Sequence, residues 1–125
     1  MRYLLDSHVF LWYDEGNEKL KPQFTELLDN PEHELYLSAA SLWELAIKRT
    51  LGRLKRETSF SSSARRLGIQ VLPVTSQHAE EIEQLPRLHG DPFDHMLVAQ
   101  SRIEGLVLVT HDRQMQEYDV AVLRV

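Results

Sequence analysis

Cysteine is absent from the 125 residues, which removes disulfides, thiolate zinc sites and cysteine nucleophiles at once and accords with a reducing compartment. Long hydrophobic runs are absent as well. Glu44 interrupts the longest apolar neighbourhood, Leu35 to Ile47, so nothing reads as a bilayer span. The opening Met1-Arg2-Tyr3-Leu4-Leu5-Asp6 meets a charge too early to supply a signal-peptide apolar region. The expectation is a soluble cytoplasmic protein with no membrane partner. Excess positive charge is missing too: 14 lysines and arginines against 19 acids leave a net charge of −5, which argues against a generic nucleic-acid coat protein held by phosphate neutralisation. No Gly-rich phosphate loop precedes a helix, and no serine has a G-x-S-x-G context. The six histidines, His8, His33, His78, His89, His95 and His111, include no pair four apart that would hold a metal on one helix, so each reads as a surface or capping residue.

What is present suffices for one domain over residues 1–125: a 42% hydrophobic content can bury an ordinary core without staples. Residues 2–6 form a short apolar strand, and Ser7 reads as the N-cap of a helix carrying Val9, Phe10, Trp12 and Tyr13 that breaks at Gly16 and Asn17. Leu20, Phe24, Leu27 and Leu28 mark a second helix, Glu34 to Ser38 a second strand, and Ala39 to Leu51 a long helix stopped by Gly52. A short helix within Thr58 to Leu67 precedes a third strand, Ile69 to Val74, and a helix from Ser76 or Gln77 to Leu85. After a loop from Pro86 to Gly90, Asp91 caps a helix with Pro92 in its first turn. Leu106 to Thr110 is a fourth strand, Arg113 to Glu117 a helical turn, and Ala121 to Arg124 a fifth strand. Apolar strands alternating with helices predict an α/β fold, a mainly parallel sheet covered on both faces.

Four acids stand out in that frame. Asp6 closes the first strand, Glu44 rides the helix after the second, Asp94 opens the helix feeding the fourth, and Asp112 follows the fourth by two residues. All can reach the carboxyl edge of the sheet, where such folds gather their functional groups. Two carboxylates about 4 Å apart repel by roughly 4 kcal/mol at an effective dielectric near 20, so a gathering of four demands shifted pKa values or a cation. The sequence offers no obvious cation beside them. Each also has a structural reading. Asp6 can be an extra cap for a helix that Ser7 can cap alone; Glu44 can be a surface residue; Asp94 resembles an acid in the first turn of a capped helix; Asp112 can cap the turn after it. Glu44 has Ala40, Ile47 and Leu51 at helical spacing, which predicts a partly apolar face, and Trp12, Trp43 and Phe93 read most simply as core. Lys48, Arg49, Arg53, Lys55 and Arg56 fall within nine residues, followed by Arg65 and Arg66; they form either a solvated helix end or a patch that tracks phosphates.

Leu4-Leu5-Asp6-Ser7-His8-Val9, Ser41-Leu42-Trp43-Glu44-Leu45-Ala46-Ile47-Lys48, Asp91-Pro92-Phe93-Asp94-His95-Met96-Leu97-Val98-Ala99-Gln100 and Leu108-Val109-Thr110-His111-Asp112 resemble, in order and spacing, the signature blocks of PIN-domain ribonucleases, specifically the VapC-type toxins of prokaryotic toxin–antitoxin pairs. The resemblance implies a PIN-like three-layer fold with a parallel sheet of order 3-2-1-4-5. It implies that Asp6, Glu44, Asp94 and Asp112 form an acidic quartet binding Mg²⁺ or Mn²⁺, with Ser7 and Thr110 at small hydroxyl positions, while Asp91 stays a cap. It implies an endoribonuclease acting through metal-activated water, a cognate antitoxin and a homodimer, and it makes Lys48, Arg49, Arg53, Lys55 and Arg56 candidates for binding RNA. His95 stands where the family often has a basic residue, usually arginine. The alternative is a non-catalytic α/β binding module whose acids hold a structural ion or only cap helices.

Overall fold

The computed structural model describes residues 1–86 and 90–125; the middle of the loop expected from Pro86 to Gly90, with His89, lies outside the described residues. Its first strand, β1 (Arg2–Leu5), is central and has Tyr3, Leu4 and Leu5 all buried, as a strand covered on both faces must be. The chain continues through α1 (Ser7–Glu15), α2 (Pro22–Asp29), β2 (Glu34–Ser38), α3 (Ala39–Thr50), α4 (Phe60–Arg66) and β3 (Ile69–Leu72). It closes with α5 (Ser76–Glu81), a 3-10 turn at Ile82–Gln84, α6 (Pro92–Glu104), β4 (Val107–Thr110), a second 3-10 turn at Arg113–Glu117 and β5 (Val122–Arg124). All strand pairs are parallel and the order is β3-β2-β1-β4-β5, the order the family resemblance implies.

The period-2 alternation of strand side chains divides the core in two. Tyr3, Leu5, Leu37 and Val109 pack on one face with Val9, Phe10 and Leu45, while Leu4 and Leu108 face the other way onto Leu97, Val98, Met115 and Tyr118. Burying each leucine of β1 is worth about 1.5–3 kcal/mol, enough to fix the register against β2 and β4. Register decides where the functional edge lies. Leu4 pairs with Tyr36 on one side and Leu108 on the other, so the ends of β1, β2 and β4 fall level and their following residues emerge together.

Strand and helix ends follow local chemistry. β3 stops at Leu72, short of the expected Val74, because Pro73 has no N–H for the ladder. α1 stops at Gly16, whose φ of 63° is left-handed, and α6 stops the same way at Gly105 with φ 66°. The start of α1 differs from expectation: the N-cap is Asp6, whose side chain accepts from the Val9 N–H, and Ser7 is the first helical residue. Both residue types cap well, but Asp6 has the extended backbone a cap requires (φ −73°, ψ 170°) because it has just left the strand. No helix among the described residues is long and apolar enough to cross a membrane.

Candidate metal centre

Asp6, Glu44, Asp94 and Asp112 line one pocket of about 520 Å³ together with Ser7, Asp91, Trp12, His111 and Arg113. Four separate elements deliver the acids: the β1 to α1 junction, the second turn of α3, the first turn of α6 and the junction after β4. Sequence positions 6 and 112 meet because β1 and β4 pair directly.

Hydrogen bonds fix the carboxylates in place. Asp6 Oδ1 accepts from the Val9 N–H at 2.8 Å, and Asp6 Oδ2 accepts from the Thr110 hydroxyl at 2.5 Å. Thr110 Oγ1 in turn accepts from the Asp112 N–H at 3.1 Å, so one hydroxyl ties the two acids together across the sheet. Released from capping, the Ser7 hydroxyl donates to Glu44 Oε1 at 2.9 Å and links α1 to α3. Asp91 accepts from the N–H groups of Phe93 and Asp94 at 2.9 and 3.3 Å, as a helix cap should, and still lines the pocket. Asp112 also caps, accepting from the Gln114 N–H at 2.9 Å. The two hydroxyl positions named by resemblance, Ser7 and Thr110, thus both hold site carboxylates.

The electrostatics of the pocket are unbalanced. Burial pushes the Asp94 carboxyl up to about 7, and the charges of Asp91, Asp6, Asp112 and Glu44 push the same way. Asp6 is also raised, by burial above all, although the bonds from Thr110 and Val9 favour its charged form and pull it back. A cation does stand beside the acids, contrary to the sequence expectation: Lys48 Nζ lies 3.4 Å from Glu44 Oε2. The i,i+4 spacing of Glu44 and Lys48 on a helix could have disclosed it. Arg113 lines the pocket as well. One ammonium on Glu44 and one guanidinium in the pocket lining do not offset five carboxylates, and that repulsion adds to the burial that raises Asp94.

The remaining basic candidates disperse. Arg49 donates to the Thr58 carbonyl at 3.0 Å and lies 4.4 Å over the Phe60 ring; Arg56 pairs with Asp14 and also faces Phe60. These two arginines hold the loop after α3 in place. Arg53 and Lys55 are exposed. One expectation about apolar residues needs correction: Trp43 is 64% exposed rather than core. The partly apolar face expected around Glu44 is buried at Ala40 and exposed at Ile47 and Leu51. A periodic apolar stripe identifies a face but not what covers it. Trp12 and Phe93 are half-buried, and His78 is a cap, as expected, yet wholly buried, its Nδ1 accepting from the Thr75 N–H. Sequence reasoning missed Asp14, whose side chain is 2% exposed and which pairs with both Arg56 and Arg66 over separations no local pattern reveals.

The donor set suits a hard divalent cation. Every ligand candidate is a carboxylate or hydroxyl oxygen, without thiolate or paired imidazole, and an ion would relieve the repulsion that raises Asp94. Among the described residues no three acidic or histidine side chains are already drawn into an ion-sized cage.

A model of the PIN domain matches residues 3–121. Solved structures agree. A chain of the VapBC2 complex from Rickettsia felis, bound to a DNA fragment from its promoter, superposes with a TM-score of 0.76 at 14% identity, over 99% of this chain and 98% of that one. VapBC-1 of nontypeable Haemophilus influenzae gives 0.64 at 19% identity, and DNA-bound VapBC of Salmonella typhimurium 0.69 at 18%, each with the same 99% and 98% coverage. At these identities the likeness is one of fold. No match is found among curated protein sequences.

Proposed function

The chain belongs to the PIN domain family, and from that membership we propose that it is a metal-dependent endoribonuclease, the VapC-type toxin of a toxin–antitoxin pair, with Asp6, Glu44, Asp94 and Asp112 as its metal-binding and catalytic acids. The observation that carries the proposal is the crowding of these carboxylates around Asp94, whose carboxyl is pushed up to about 7. PIN nucleases generally use divalent metals. Bound Mg²⁺ or Mn²⁺ would supply a water of lowered pKa, held for attack, and charge to neutralise the phosphodiester.

The chain's own residues do the positioning. The Thr110 hydroxyl and Val9 N–H hold both oxygens of Asp6, and Ser7 and Lys48 hold the two oxygens of Glu44, so neither carboxylate must reorganise on binding. Asp94 must lose its proton to act as a ligand, so proton and ion compete there. No side-chain nucleophile is required: the oxygen of water joins phosphorus and an ester oxygen leaves. Unstacked RNA enters such a pocket more easily than a duplex. Lys48, Arg53 and Lys55 remain candidates for phosphate contact on the α3 side, whereas Arg49 and Arg56 serve the fold.

The test is cleavage of total cellular RNA with Mg²⁺ or Mn²⁺ by the wild type, Asp6→Asn and Asp94→Asn. Loss of roughly a hundredfold or more in both variants is expected; equal activity in either would sink the assignment. The second reading, a non-catalytic module, draws on the capping duty of Asp6, Asp91 and Asp112. A cap needs no like-charged neighbours, so capping leaves the crowding unexplained; absence of any metal-dependent turnover would favour it. We further propose a single domain, a cytoplasmic location, a cognate antitoxin and a homodimer. For self-association the protein has an apolar groove of about 470 Å³ lined by Ala39, Ala40, Trp43, Val74, Ile82, Pro92, Phe93 and Met96, with Trp43 and Phe93 edge to face at 5.3 Å. Trp43→Glu should turn a dimer into a monomer in sedimentation; an unchanged mass would place self-association elsewhere.

A further inference from the structure

We infer that the RNA strand runs from the acidic pocket across Trp12 and His111 into a second groove whose cations are Lys19, Lys21 and Arg124. The inference rests on the RNA-cleaving reading above and assigns the path of its substrate.

The second groove, of about 320 Å³, shares His111 with the acidic pocket, so the two concavities adjoin at that ring. No acidic side chain lines it. Among the described residues, Lys19, Lys21 and Arg124 enter no ion pair, which separates them from Lys48, held by Glu44, and from Arg56 and Arg66, held by Asp14. In a chain of net charge −5, cations left without carboxylate partners beside an acidic pocket are the groups available to a polyanion. The junction is built from rings in defined positions. His111 Nδ1 donates to the Val125 carbonyl at 2.7 Å, and the His111 ring meets Trp12 edge-on with centroids 5.2 Å apart. Trp12 also lines the acidic pocket, and Lys19 Nζ lies 5.9 Å from its centroid. An indole between a metal pocket and a row of cations is the arrangement that single-stranded nucleic acid uses, bases on the ring and backbone on the charges. The order also resolves an electrostatic difficulty: phosphates flanking the cut would be repelled by the acids, and the nearest escape from that field is this groove.

The experiment measures binding of a fluorescein-labelled single-stranded oligouridine to the full chain in EDTA, where no turnover occurs, as a function of salt. The combined variant Lys19→Gln, Lys21→Gln, Arg124→Gln should bind about tenfold or more weakly, and its log–log salt slope should fall by about 2, since each phosphate contact on a single strand contributes roughly 0.7. Trp12→Leu should weaken binding about fivefold or more with the slope unchanged, as loss of stacking requires. All three cations lie at the surface, so a folding defect in the triple variant is checked by its Tm. An unchanged slope in the triple variant, or a slope flattened instead by Arg53→Gln with Lys55→Gln, overturns the path and leaves the nuclease reading standing. Competition by poly-L-glutamate as strong as that of poly(U) at equal charge overturns it in favour of an acidic protein segment. Failure of the wild type to bind the oligouridine overturns it together with the RNA reading, which the cleavage assay tests separately.

Discussion

Two carboxylates, both largely withdrawn from solvent, stand at opposite ends of α1 and have opposite fates. Asp6 caps its N-terminus, where the helix dipole favours an anion, while Asp14 lies in its last turn, where the dipole opposes one. Yet Asp14 is the one with full compensation. Arg56 and Arg66 each take one of its oxygens, and its side chain is 2% exposed. Asp6 receives a hydroxyl and an amide but sits among Glu44, Asp94 and Asp112, with its carboxyl pushed up by burial. An acid supplied with guanidinia holds the fold together; an acid supplied with more acids is left with a repulsion that its neighbours do not cancel. Burial alone does not separate the two kinds, and the sign of the neighbours does.

The largest test of this contrast is stability. Asp14→Ala leaves two arginines without their partner and should cost about 3 kcal/mol in denaturant unfolding, with Mn²⁺ affinity unchanged. Asp94→Asn should do the reverse: metal affinity collapses while the metal-free protein becomes more stable at pH 8. A loss of stability in Asp94→Asn matching that of Asp14→Ala would erase the distinction.

The next test is pH. The folded-state pKa of Asp94, about 7, lies above its ordinary value of 3.8, so the folded protein holds a proton that the unfolded chain has released. The stability due to neutral Asp94 is therefore fully present below about pH 4 and is lost as pH rises through 7. Mn²⁺ binding should move the opposite way, strengthening by roughly a hundredfold between pH 5 and 8. Calorimetric titration at several pH values checks the second trend and thermal melting the first; a flat profile in both would remove Asp94 from the site.

The smallest expected effect concerns Thr110. Thr110→Val keeps the shape and removes the hydroxyl that joins Asp6 to the Asp112 amide. Metal affinity should fall about tenfold with little change in Tm. An affinity equal to wild type would make Thr110 a core residue only.

Much of the frame was readable from the chain. β2 and the turn at Arg113–Glu117 have the expected bounds, since apolar alternation and capping residues announce themselves locally. The convergence of the four acids on one edge was legible because parallel sheets put strand ends together, although Asp94 looked like an ordinary helix-start acid by itself. What escaped notice depends on distance or on what lies outside a face. Asp14 meets its arginines across 42 and 52 residues, and nothing near Asp14 in sequence announces them. Trp43 has the spacing of a core residue, yet it stays 64% exposed even with the Phe93 ring against it. The exchange of roles between Asp6 and Ser7 turned on one ψ angle at the end of β1, finer than residue preference can resolve.

The bond from Thr110 to Asp6 spans 104 residues. A ribosome making this chain releases Asp6 early and the residues of α6 and β4 late, so the pocket does not exist until synthesis has passed residue 112 and β4 has docked beside β1. Contacts of such long sequence separation form late in folding. The pocket proposed to cut RNA is thereby incomplete until β4 is in place, and on that reading the nascent chain cannot turn on its own messenger before then.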